Sequence, residues 1–290
     1  MTQPRRVLAL LVVAALAVLA APAGAAPGAG VSATIATPYG GQVRTFNVYV
    51  APRVPAQVPV PVIFVLHGLY LDPASAEASA GLDAIADSQD VALVYPSGFQ
   101  GSWNAGTCCG DSHATNTDDV GFLVHVLGLV RQIRPIDLDR VYLAGFSNGG
   151  MMALKAVCQR PDVFAAAVSV AGSLQAPCTG RRPVNAMIIH GMRDTTVPYG
   201  GQRYSTFLGV PLTSAPVSAA RLAARSSCTV NRVTAAKRYL RRDYAGCAER
   251  TDVQLLSVPA MGHRWPNAQH DGVDGGALTW TFLRAQYRLG

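Results

Sequence analysis

Residues 59–66, P-V-P-V-I-F-V-L, form an apolar run without interruption that stops at His67-Gly68. A strand with one face in water alternates apolar and polar residues. A continuous run bounded by turn residues is the pattern of a strand buried on both faces. Such a strand needs neighbouring strands and a helical layer on each side, and the chain offers both. Residues 91–95 repeat the pattern before Pro96, and 141–144, 165–171, 184–189 and 253–258 read the same way. Residues 43–50 alternate, as in an early, partly exposed strand. Helices are expected over alanine-rich 74–86, over 120–133 behind a capping Asp118, over 151–157 and over 277–287. Strand–helix repeats of this kind imply one α/β domain with a mostly parallel sheet covered by helices on both faces.

Composition supports that class. The 290 residues are 50% apolar and 14% charged, too apolar and too weakly charged for a disordered chain. The net charge is +7, and Lys155 and Lys237 are the only lysines among 24 basic residues. Arg232, Arg238, Arg241 and Arg242 fall close together, but no nucleic-acid motif accompanies them. A solvated basic surface is expected, with no nucleic-acid partner.

At the N-terminus, Arg5 and Arg6 precede an apolar run over 7–21, then Pro22 and Ala23-Gly24-Ala25. A charged start, an apolar stretch too short to span a bilayer and a small-x-small site describe a secretory signal over 1–25. Export by the general or the twin-arginine route remains open. Cleavage after Ala25 leaves 26–290 as a single catalytic domain of 265 residues with net charge +5, secreted or periplasmic and without a membrane anchor.

Six cysteines in an oxidising compartment point to disulfides. Cys228 and Cys247 are expected to pair, closing a loop worth about 3 kcal/mol. The adjacent Cys108 and Cys109 are expected to look elsewhere rather than to each other. Cys178 is a further candidate, and Cys158 reads equally as a disulfide partner or a buried thiol. No C-x-x-C or histidine-spaced cluster suggests a metal, and none is expected.

The chemistry starts at Gly145-Phe146-Ser147-Asn148-Gly149. Bare G-x-S-x-G is weak, but here a strand leads in and an apolar helix leads away, as in a nucleophile elbow. A serine hydroxyl needs a base, and the base needs an orienting acid. Six histidines compete: His67, His113, His125, His190, His263 and His270. In the chain order of elbow enzymes the acid and then the histidine follow the serine. His263, in a loop just after the last buried strand, is the expected base, with His270 in a more polar stretch. Asp194 follows the penultimate strand and is the expected acid, whereas Asp118 and Asp119 precede the serine and suit a helix cap. His125 reads as a packed helix residue. Oxyanion donors are expected from the N–H groups of Asn148 and Leu69, with Gly68 permitting the close approach.

L-H-G (66–68), D-D-V-G-F (118–122), G-F-S-N-G-G-M-M (145–152), H-G-x-x-D-x-x-V-P-Y (190–199) and G-H-x-W-P (262–266) together resemble the secreted polyhydroxybutyrate depolymerase and feruloyl esterase-like family. The resemblance runs from about Pro38 to the C-terminus. It implies an α/β-hydrolase serine esterase with Ser147, Asp194 and His263 as its triad and no cofactor. By the same resemblance His67, Gly68, Trp103 and Trp265 lie near the substrate. Many depolymerases carry a cysteine where Leu69 stands, and the chain carries no evident polymer-binding module. The expected substrates are carboxylic esters: hydroxyalkanoate oligomers or polyester, or feruloyl and acetyl esters of plant polysaccharide. The rival readings are an amide or peptide hydrolase acting on polyanions such as poly(aspartate), a non-catalytic binding protein on the same scaffold, and a disulfide-stapled surface protein.

Overall fold

The computed structural model describes residues 31–51, 55 and 57–288. The secretory signal expected over 1–25 lies outside the described residues. The chain opens with two antiparallel strands, β1 (Val31–Tyr39) and β2 (Gln42–Val50), followed by the apolar run as β3 (Val60–Leu66). Asp72 caps α1 (Pro73–Ala80) reciprocally with Ser75, and Gly81 in the left-handed region ends it. The single helix expected over 74–86 is therefore two, the second being α2 (Asp83–Gln89).

Next come β4 (Ala92–Pro96), short α3 (Gly110–Ala114) and α4 (Asp119–Ile133), whose N-cap is Asp118, its side chain accepting from the Gly121 N–H. Then follow β5 (Ile136–Phe146), α5 (Asn148–Gln159), β6 (Ala166–Val170) and β7 (Ala186–Gly191). A small ribbon, β8 (Gln202–Ser205) with β9 (Val210–Leu212), leads into α6 (Ala215–Arg225). The chain closes with β10 (Val230–Ala235), β11 (Leu240–Ala245), β12 (Val253–Val258), α7 (Ala268–Asp271) and α8 (Gly275–Leu283). The segment between Cys228 and Cys247 is the antiparallel β10–β11 hairpin.

Ten strands form one sheet in the order β1-β2-β4-β3-β5-β6-β7-β12-β11-β10. The run from β4 to β12 is parallel, and an antiparallel pair flanks each end. This is the α/β-hydrolase fold, a mixed and mostly parallel sheet with helices on both faces. The apolar run explains why both faces are covered. Val60, Val62, Phe64 and Leu66 point into one core with Phe122, Leu123, Met152 and Leu222 from α4, α5 and α6. Ile63 and Val65 point into the other, against Ala80, Ala86 and Phe282 from α1, α2 and α8. A side chain such as Phe64, fully buried here, contributes roughly 1.5–3 kcal/mol by leaving water.

Strand order also places the chain ends that matter. β3 lies beside β5 with Leu66 opposite Gly145, so the 67–71 loop and the turn at Ser147 leave the sheet side by side. β12 lies beside β7 with Val258 opposite Gly191, so the loops carrying Asp194 and His263 leave together. Both pairs emerge at the carboxyl edge of the parallel strands, where open α/β sheets place ligands.

Candidate active site

Ser147 sits between β5 and α5 at φ +54°, ψ −119°, a region L residues rarely occupy. Strain of this kind costs about 1–3 kcal/mol and persists only where the surroundings enforce it. Here the Ser147 N–H donates to Val170 O at 2.8 Å, and its carbonyl accepts from the Met151 N–H at 2.9 Å. At Gly149 a side chain would collide with the carbonyl oxygens of Leu66 and His67, so the helix approaches β3 this closely only as glycine.

Asp194 and His263 meet at this turn. His263 Nδ1 lies 2.7 Å from Asp194 Oδ2, and His263 Nε2 lies 3.0 Å from Ser147 Oγ. An ionised carboxylate only accepts, so Nδ1 carries the proton, donating to Asp194, and Nε2 accepts from the serine hydroxyl. The imidazole retains 18% side-chain exposure, with Phe146 at 4.8 Å between ring centroids. The two loops are locked together, since the Arg193 N–H donates to Met261 O at 3.0 Å. At Gly191 a side chain would strike that same carbonyl.

The Asp194 carboxyl is fully enclosed. Its Oδ1 accepts from the Thr196 and Val197 N–H groups, both at 2.9 Å. Burial pushes the carboxyl up, but hydrogen bonds from His190 and His263 outweigh it and hold the group well below the usual carboxylate range. His190 was not distinguished from the other histidines by sequence. It is fully buried behind Asp194, with Nε2 donating to Val197 O at 2.8 Å and lying 3.4 Å from Asp194 Oδ2.

On the other side of Ser147, the backbone N–H groups of Leu69 and Asn148 donate to no acceptor among the described residues. The Asn148 side chain has its own task. Its Oδ1 accepts from the Trp103 N–H at 2.8 Å, and its Nδ2 donates to Trp103 O at 2.9 Å, clamping the 103 loop to the turn. Trp103 is fully buried and donates its indole N–H to His67 O at 3.0 Å. His67 accepts the Gly98 N–H on Nε2 at 2.8 Å and donates from Nδ1 to Gly68 O at 2.7 Å. Burial pushes the His67 imidazole down, in keeping with a neutral ring.

Trp265 is 7% exposed and packs over Gly275. His67, Gly68, Trp103 and Trp265, expected near the substrate, lie beside the elbow turn and the His263 loop. All four are buried, and they support the loops rather than line an open surface.

Asp119, expected to share a capping role with Asp118, is instead a buried anchor. Its Oδ1 takes a 2.7 Å ion pair from Arg44, and its Oδ2 accepts from the Asn104 N–H and the Ser112 hydroxyl. The second aspartate of D-D-V-G-F was the available signal, since a helix start needs only one cap. His113 and His270 carry no bond to the triad, and His125 packs from α4 against Tyr39 and Thr37.

The disulfides are Cys108–Cys109, Cys158–Cys178 and Cys228–Cys247. The last is as expected, and Cys158 is not a free thiol. The expectation that Cys108 and Cys109 look elsewhere is corrected. Both are buried in the 103–109 loop, and the other four cysteines are paired among themselves. Among the described residues no cluster of His, Cys, Asp or Glu could hold a metal ion, and no helix is long and apolar enough to cross a membrane.

Comparison with known proteins gives consistent neighbours. The model of the prolyl oligopeptidase family matches residues 115–177. The chain is 36% identical over 166 residues to "Putative esterase NocK" of Nocardia uniformis subsp. tsuyamanensis, covering 56% of this chain and 48% of that protein. It is 30% identical over 224 residues to feruloyl esterase B of Piromyces equi, covering 73% of this chain and 39% of that protein. The chain thus spans less than half the length of either relative. Among solved structures, the acetyl xylan esterase from Aspergillus awamori superposes with a TM-score of 0.61 at 13% identity, covering 83% of this chain and 94% of that one.

Proposed function

We propose that this chain, a member of the feruloyl and acetylxylan esterase-like family of α/β-hydrolases, is an exported serine esterase that cleaves carboxylic esters through Ser147, His263 and Asp194. The observation that carries this reading is the unbroken hydrogen-bonded line from Ser147 Oγ through His263 to Asp194 at a strained strand-to-helix turn. In the reaction, His263 Nε2 takes the hydroxyl proton as Ser147 attacks the ester carbonyl. Asp194 holds the tautomer and stabilises the imidazolium. The developing oxyanion accepts from the free N–H groups of Leu69 and Asn148, each donor being worth about 3 kcal/mol in the transition state. The imidazolium returns its proton to the departing alcohol, and water then releases the acid by the same route.

Relatives named as feruloyl and acetylxylan esterases favour feruloyl or acetyl esters of plant polysaccharide, with hydroxyalkanoate esters as a further class. The three disulfides support an oxidising compartment, in keeping with a signal over 1–25 and a catalytic domain over 26–290. A peptidase reading draws on the match at 115–177, a stretch that holds the elbow itself.

The test is a panel of acetyl, feruloyl and 3-hydroxybutyrate esters run beside the matching anilides, with wild type and Ser147→Ala. Ester turnover should exceed amide turnover and vanish in the variant while its far-ultraviolet circular dichroism stays unchanged. Ester turnover that survives the substitution overturns the assignment.

A further inference from the structure

A cavity of about 610 Å³, lined by no residue of the proposed triad, lies between two segments that buttress the elbow. Two of its walls run directly from the elbow. One is the segment after β6: a side chain at Gly172 would strike Ser147 O, and two residues later Leu174 begins the cavity wall. The other is the 103–109 loop, clamped to Asn148 through Trp103 and reaching the cavity at Thr107. The Thr107 N–H donates to Gln175 O at 3.0 Å and joins the two walls.

The far end of the first wall is pinned as well. Cys178 lines the cavity and is bonded to Cys158 at the end of α5, and the Gly180 N–H donates to Cys158 O at 2.8 Å. The wall is therefore held at both ends before any ligand arrives, which lowers the ordering cost of binding.

The chemistry of the lining is one-sided. Leu174, Pro177 and Leu212 give it an apolar floor, and α6 brings Arg221 and Arg225, one turn apart and on one face, to its edge. No carboxylate lines it among the described residues. Arg225 donates to Gly180 O, whereas exposed Arg221 has neither a hydrogen bond nor an ion pair among the described residues. An apolar trough ending in an uncompensated guanidinium is complementary to an apolar chain that ends in, or carries, a carboxylate.

We propose that this cavity is a substrate subsite selecting esters that bear a free carboxylate, with Arg221 as the residue that reads it. The inference rests on the esterase reading and narrows its substrate class. Two sources share this chemistry: the acid terminus of a hydroxy-acid oligoester, and a uronic acid beside an ester on a polysaccharide.

The test compares matched pairs. 3-Hydroxybutyrate dimer acid is set against its methyl ester, and an acetylated methyl glucuronoside against the acetylated methyl glucoside. For at least one pair, the wild-type ratio of kcat/KM, acid over neutral, should exceed that of Arg221→Gln by about fivefold to tenfold, with Arg221→Lys retaining part of the difference. The pair that responds identifies the source. A ratio unchanged by Arg221→Gln in both pairs, while the neutral esters are turned over, overturns the subsite and leaves the esterase reading standing.

Binding is read separately by calorimetry with hexanoate and hexanol, neither of which is an ester. Hexanoate should bind more tightly, and Arg221→Gln should remove the difference. If that holds while no ester is cleaved, the esterase reading fails and the anion site survives. Equal affinity for the two ligands overturns the site.

Discussion

The proposed acid illustrates how a single residue carries both chemistry and stability. Asp194 is held ionised by His190 and His263 against its own burial. Asp194→Asn leaves the shape but removes the acceptor that fixes the His263 tautomer. In steady-state assays kcat should fall by about 10³–10⁴-fold. The same shift has a thermodynamic sign. A carboxyl lowered in the folded state stabilises fully above its unfolded value, near about 4, and loses that contribution as pH falls toward the folded value. Denaturant curves for wild type and Asp194→Asn should therefore differ most near pH 7 and converge progressively below about pH 4. A gap that stays constant with pH would contradict the electrostatic account of Asp194.

The proposed triad of Ser147, Asp194 and His263 was legible because each follows a buried strand in a recognisable turn. The Asn148 clamp and the placement of His190 were not, since both depend on how distant loops fold back onto the elbow.

Among the elements, the parallel centre and the edges behave differently. β3, β4 and β7 are buried throughout and announce themselves as apolar runs. β10, V-N-R-V-T-A, is exposed at every position and has no apolar face for a pattern to reveal. It forms because β11 pairs with it and β12 templates β11. Gly81, in the left-handed region, splits an alanine-rich stretch whose composition alone favours one helix.

The hairpin is also where a staple acts most simply. Cys228 and Cys247 are 19 residues apart and bracket β10 and β11. Replacing both with serine should lower unfolding free energy by about 3 kcal/mol in non-reducing denaturant titrations. Turnover at 25 °C should be unaffected, because the disulfide closes the end of the hairpin that lies beside Val253, at the opposite end of β12 from the loop carrying His263. A variant as stable as wild type would show that the hairpin needs no covalent support.

At the scale of the whole molecule, the described residues form one ten-stranded sheet with two cores, and the proposed site is built where loops from β3, β5, β7 and β12 converge. That convergence follows from strand order, which pairs β3 with β5 and β7 with β12 and leaves β6 between the two halves. Fold class was therefore readable from apolar runs, while strand order came only with the structure. Basic residues exceed acidic ones across the chain, and the exposed arginines of β10 and β11 account for part of that surplus.

The central claim is that Ser147 is a nucleophile activated by His263. The most direct measurement is intact-mass spectrometry after exposure of the folded protein to a serine-directed fluorophosphonate. Wild type should gain one phosphonyl adduct, which peptide mapping places on Ser147, and Ser147→Ala should gain none. No adduct on the folded wild type, or one that persists in Ser147→Ala, would contradict the account.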